Sequence, residues 1–190
     1  MDAMGINGIE TVIEMLKKGN ENFTKLEKNH GDISSFVRTK TSRDGQTPYA
    51  VIVTCSDSRV PPEHVFSAGI GELFVIRTAG NVIGDFELGS IEYAVGHLGV
   101  KVVIVLGHNH CGAVSAAMFG HGEGHIQSII DEIKPAIKEE KDASICEWLN
   151  IENSMDRIFN SKLINELVES ERVKVFGAKY DISTGRVDFN

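Results

Sequence analysis

The sequence is short of cysteine. It has three, an odd number, and MDAMGINGIETVIEML at the N-terminus offers neither a basic segment nor an unbroken apolar core; the first basic residue is Lys17. A disulfide scaffold and an export signal are therefore not expected, and reduced thiols in a cytoplasmic protein are. Long hydrophobic runs are missing too. The longest, such as VVIVLG, are strand-sized, so no membrane span is expected. Positive charge is in deficit, with 19 Lys and Arg against 27 Asp and Glu, and no Lys/Arg stripe stands anywhere. Nucleic acid and other polyanions are poor partners for such a surface. Repeats, low-complexity tracts and linkers are also lacking. The 190 residues suit one domain, 1–190, with a real core.

What is present alternates strand and helix. Ile9, Val12, Ile13, Leu16, and later Phe23 and Leu26, recur at helical spacing and predict an N-terminal amphipathic helix, loosened at Gly19-Asn20. Residues 31–48 are polar and read as a loop closed by Pro48. YAVIVT, ELFVIR and KVVIVLG are three buried strands, the first ending at Cys55. Pro61-Pro62 suits the first turn of a short helix. Leu88, Ile91, Val95 and Leu98 mark another helix, and residues 113–119 a further one. The stretch from Glu123 to Ser170 reads as two or three helices. RVKVFGAKYDISTGRVDFN closes with a strand, an STG turn and a short returning strand. The pattern predicts an α/β fold: a mainly parallel central sheet of about four parallel strands plus a short C-terminal edge strand, flanked by helices.

In such sheets, sites form beyond the carboxyl ends of strands. Two motifs fall there: CSDSR, Cys55 to Arg59, after the first strand, and HNHC, His108 to Cys111, after the third. If those strands are neighbours, Cys55 and Cys111 supply two thiolates. His108, three residues before Cys111, can reach the same ion across a strand-to-helix turn, whereas the adjacent His110 diverges. Two cysteines and a histidine are a known three-ligand set for catalytic zinc, with the fourth position open. Asp57 lies close enough either to fill that position or to be held aside by Arg59 through a charge-assisted bond. Cys146, in a helical context with no second Cys or His beside it, reads as core. His64, His97, His121 and His125 read as solvated or locally bonded, with His121 or His125 a minor option for moving protons.

CSDSRVPPE, FVIRTAGN, GSIEYAVGHLG and GHNHCGAV, in this order and spacing, resemble the β-class carbonic anhydrases. The resemblance runs from about Leu16 to GAKYDISTG. It implies one Zn²⁺ per chain on Cys55, His108 and Cys111, with Asp57 and Arg59 as the catalytic pair. The implied reaction is reversible hydration of CO₂ to bicarbonate and a proton. The resemblance also implies self-association as a dimer or a multiple of dimers, with the N-terminal helix packing across a partner. Three positions depart from the family pattern. Gly69 stands where many plant-like members carry Gln, Thr78 where many carry Asn, and Ile52 where several bacterial members carry Trp. Other functions on these residues are hydrolysis of carbonyl sulfide or carbon disulfide on the same zinc scaffold, an enzyme using Cys111 as nucleophile, and a non-catalytic zinc-binding module. CSDSR also resembles a phosphatase loop, but that loop needs five residues between Cys and Arg, and this sequence has three.

Overall fold

A computed structural model describes residues 8–26, 29–120 and 122–189. His121 and the first seven residues lie outside them, as does the side chain of Leu26. The elements run α1 (Ile9–Leu26), α2 (Ser35–Asp44), β1 (Ala50–Cys55), α3 (Pro62–Val65), β2 (Leu73–Thr78), a 3₁₀ turn (Ala79–Asn81), α4 (Asp85–Gly96) and β3 (Val102–His108). They continue with α5 (Gly112–Phe119), α6 (Ile126–Ile137), α7 (Ala143–Phe159), α8 (Lys162–Glu169), β4 (Lys174–Tyr180) and β5 (Val187–Phe189). Among the described residues, no helix is long and apolar enough to cross a membrane.

The strands form one sheet in the order β2-β1-β3-β4-β5. The first four are parallel and β5 runs antiparallel to β4 as a short edge, as the sequence pattern predicts. Every residue of β1 and β3 is buried, because helices cover both faces. Alternate residues serve opposite faces. Val51, Val53, Val103 and Val105 pack with Ile91 and Val95 of α4, Ile151 and Ile158 of α7, and Ile164 of α8. Ala50, Ile52, Ile104 and Leu106 pack on the other side with Val12, Ile13 and Leu16 of α1. The chain leaves β1 toward β2 on one side and later enters β3 on the other. The carboxyl ends of β1 and β3 therefore flank the crevice at the switch in strand order.

Two sequence expectations are corrected. Gly19-Asn20 does not loosen α1, which runs unbroken through both residues. Gly19 lets the helix touch the Phe66 carbonyl, where a Cβ would overlap it. Asn20, only 6% exposed, donates to the Val65 and Gly185 carbonyls and accepts from the Val187 N–H at 2.9 Å. The pair is a docking point that joins α1 to both β5 and the end of α3. The polar stretch 31–48 is not all loop either. It contains α2, capped by the Ser34 hydroxyl at Val37 N and ended by Gly45 at φ 83°. No residue of α2 is buried, so no apolar stripe advertises it.

Candidate metal centre

Parallel pairing of β1 with β3, Thr54 opposite Leu106, brings Cys55 and His108 together as the last residues of their strands. The backbone then turns through Asn109 and His110, and Cys111 becomes the N-cap of α5. Cys55 Sγ, a His108 ring nitrogen and Cys111 Sγ all lie within 4.8 Å of one another. All three residues are buried, His108 to 1% exposure.

The His108 ring is oriented by its neighbour. Its Nδ1 lies 2.8 Å from the Asn109 carbonyl, an acceptor only, so Nδ1 carries the proton and donates. Nε2 is left as a bare lone pair, and it has no hydrogen-bond partner among the described residues. A buried nitrogen without a partner is costly unless something else takes the lone pair. That nitrogen and two sulfurs are a donor set suited to a borderline-soft cation such as zinc, so the residues fit the ion that the sequence implies.

The two sulfurs are unequal. The Cys111 S–H holds the Cys55 thiol well below its ordinary value, against the effect of burial. The backbone N–H groups of Asp57 and Gly80 act the same way; they stand 3.4 and 3.2 Å from Cys55 Sγ. Cys111, the donor in that contact, is pushed up by it and by burial, while the Val114 and Ala113 N–H groups at the start of α5 oppose the rise.

Asp57 and Arg59 lie beside this group. Asp57 Oδ1 accepts from Arg59 N and Nε at 2.9 and 3.0 Å, and Oδ2 accepts from Nη2 at 2.7 Å. The guanidinium holds the Asp57 carboxyl down to about 2. Arg59 Nη2 also donates to the His110 carbonyl, at 3.3 Å, which ties the CSDSR segment to the HNHC turn.

The remaining predicted residues sort as follows. His110 is exposed at φ 54° and its ring is not in the group, as its divergence from Cys111 predicts. Cys146 is buried in α7, and His64, His97 and His125 are exposed. Gly69 has no room for a side chain. A Cβ there would meet Asp32 N at 2.5 Å, because residues 31–32 run against it. Ile52 is fully buried in the sheet, and the Thr78 hydroxyl donates to the Val82 carbonyl at 2.6 Å.

Sequence reasoning missed the supports. Arg77 donates to the Cys55 carbonyl at 3.0 Å and to the Asp57 carbonyl at 2.6 Å, fixing the backbone between them. Asn109 bridges to the last hairpin, donating to Asp181 at 2.8 Å and accepting from Ile182 N at 2.9 Å. Both residues sit inside the quoted motifs, but nothing in their spacing announces a backbone contact.

A family model described as "Carbonic anhydrase" matches residues 50–187. "Carbonic anhydrase 2" of Mycobacterium tuberculosis is 34% identical over 182 residues, covering 90% of this chain and 87% of that protein. The carbonic anhydrase of Mycolicibacterium smegmatis is 34% identical, covering 91% of this chain and 89% of its own. Among solved structures, a Coccomyxa β-carbonic anhydrase in complex with acetazolamide superposes with a TM-score of 0.72 at 26% identity, over 80% of this chain and 78% of that one. The β-carbonic anhydrase CcaA shares the fold, with a TM-score of 0.74 over 96% of this chain and 91% of that one. The family match over residues 50–187, the relatives at 34% identity and the shared fold place this chain in the β-class carbonic anhydrase family of lyases.

Proposed function

We propose that this chain catalyses the reversible hydration of CO₂ to bicarbonate and a proton. Cys55, His108 and Cys111 hold one Zn²⁺, and Asp57 and Arg59 are the catalytic pair. The observation that carries the reading is the buried, partnerless Nε2 of His108, in a ring grouped with two cysteine sulfurs.

When bound, the ion supplies Lewis-acid chemistry that makes water acidic enough to yield hydroxide under mild conditions. The protein does the rest. Asp57, ionised well below neutrality and clamped by Arg59, is a fixed acceptor that orients the attacking oxygen. The two cysteines belong to an apolar cluster with Val114, Ala117, Ile130 and Ile133, and Val82 and Ala113 at its edge. That wall suits a linear apolar substrate and repels bicarbonate, the charged product. The proton passes to buffer.

The same reading takes residues 1–190 as one domain, supported by the family match over 50–187 and by α1 packing onto the same sheet. It includes self-association. The face of α1 is already spent on its own sheet, but Ile33 and Phe36, 67% and 75% exposed at the start of α2, offer apolar surface for a second copy. A fungal β-carbonic anhydrase of this fold, from Sordaria macrospora, is tetrameric.

Stopped-flow CO₂ hydration with zinc analysis of the same sample tests the reading. Turnover with about one zinc per chain is expected. Zinc without turnover would reduce it to a binding module, and turnover without zinc, abolished by alkylation, would replace it with a thiol enzyme.

A further inference from the structure

Cys55 is served from behind by a turn that α7 holds in place. Gly80 aims its N–H at Cys55 Sγ, 3.2 Å away, from a left-handed conformation at φ 69°. Asn81 follows at φ 48°, and at 2% exposure it is a buried, non-glycine residue in the same unfavourable region. Glycine adopts that region freely, but the buried Asn81 stays in it only when its surroundings hold it there. Here they do. Asn150 Nδ2 donates to the Gly80 carbonyl at 2.8 Å. Ser154 Oγ donates to the Asn81 carbonyl at 2.9 Å and accepts from Asn81 Nδ2 at 3.2 Å. Asn150 and Ser154 are four residues apart on α7 and share one face. From the other side a Gly80 Cβ would meet Ala113 and Ile133 at 2.9 Å, so the turn is also wedged against α5, which Cys111 caps.

Asn150 is a poor choice for packing alone. It is 1% exposed, and its Oδ1 has no hydrogen-bond partner among the described residues. An apolar side chain would leave no such acceptor stranded. The donor half of the amide is what the position uses.

We propose that Asn150 and Ser154 are positioning residues for the Cys55 thiolate. By pinning the Gly80 and Asn81 carbonyls they keep the Gly80 N–H on the sulfur, and so limit how much charge that sulfur gives to a bound cation. The proposal rests on Cys55 being a metal ligand. Hydrogen bonds from outside the ligand set orient ligands and tune the metal.

Cobalt(II), added to the metal-free full-length protein, reports on this directly through its sulfur-to-metal charge-transfer absorption. Wild type should bind cobalt with that band. Asn150→Leu should bind about tenfold more weakly in competition with a chelator, because the turn no longer holds Cys55 in its ligating position, and its band should move to lower energy, since an unbonded thiolate gives up charge more easily. Ser154→Ala should move both in the same direction by less, and it decides the question alone if Asn150→Leu does not fold. Asn153→Ala is the control. Its Nδ2 donates to the Glu132 carbonyl from the same helix, away from the turn, so band and affinity should stay at wild-type values. Unchanged bands and affinities in Asn150→Leu and Ser154→Ala would overturn the proposal, as would an equal shift in Asn153→Ala. A wild-type protein that takes up no cobalt would overturn the metal assignment itself, and the proposal with it.

Discussion

Arg59 grips Asp57 with two parallel bonds, Nε to Oδ1 at 3.0 Å and Nη2 to Oδ2 at 2.7 Å, on the rim of a buried Cys-His-Cys group. The arrangement keeps a carboxylate next to the group without letting it turn inward. Arg59→Ala should cut kcat/KM for CO₂ hydration by about a hundredfold while zinc stays at wild-type levels, because the freed carboxylate competes for the open position. Asp57→Asn should also be slow, for want of an orienting acceptor, but should lose any closure at acid pH. Stability should barely move for Arg59→Ala, since its side chain is 51% exposed and solvent screens the ion pair. An Arg59→Ala enzyme at full speed would refute the clamp.

The assignment of ligands separates two neighbouring histidines. Cys55→Ala, His108→Ala and Cys111→Ala should each drop the zinc content from about one per chain toward zero. His110→Ala should keep the metal, since its ring is not part of the group, and the backbone carbonyl that Arg59 uses is kept. Zinc analysis after gel filtration checks all four, and metal loss in His110→Ala alone would reverse the assignment.

Gly107 sits one residue before His108, where a Cβ would meet Ile151 Cγ1 at 2.5 Å and Cδ1 at 2.6 Å. Gly107→Ala should therefore destabilise by about 1–3 kcal/mol through overpacking. In an Ile151→Ala background, where those atoms are gone, the same change should cost almost nothing. Thermal or urea unfolding of the four proteins in this cycle measures the coupling. Equal costs in both backgrounds would mean that the contact is not what matters.

Asp181 gives a pH dependence with a definite sign. Bonds from the Ser183 hydroxyl and from the Thr184 N–H and hydroxyl hold its carboxyl down to about 2, and Asn109 donates to its other oxygen. A group with a lowered folded pKa adds stability that is complete above its unfolded pKa, about 4. That stability drains as pH falls from there toward 2. Asp181→Asn should therefore lower Tm at neutral pH and flatten its decline over the acid range. Parallel Tm profiles for wild type and variant would sink this account.

The sheet and the meeting of Cys55, His108 and Cys111 could be read from the sequence because both follow from short-range signals. Runs such as KVVIVLG have strand length and no polar face, and the chemistry sits where such runs end. α2 was invisible because its signals were caps alone, Ser34 and Gly45, with no buried stripe between them. Gly19-Asn20 reads as a weak point in the helix because its partners, Phe66 and Gly185, are distant in sequence. The contacts of Arg77, Asn109 and Asn150 with backbone atoms leave no trace in spacing. The buried ion pair of Glu147 with Lys179, at 2.6 Å, likewise joins α7 to β4 without any local pattern.

The bonds of Asn20 carry a consequence for how the chain acquires its shape. Its amide closes on Val187, 167 residues away, and on Gly185, so the first helix finds two of its partners only after nearly the whole chain exists. The parallel pairing of β1 with β3 and of β3 with β4 also spans long separations, which slows folding. During synthesis α1 can dock its apolar face on β1 and β3 as they form, but its Asn20 amide lacks these two partners until residues 185–187 have been made. The β4–β5 hairpin is thus the latch of α1, and nascent chains that stop short of it would carry a helix packed on the sheet but not fastened at Asn20.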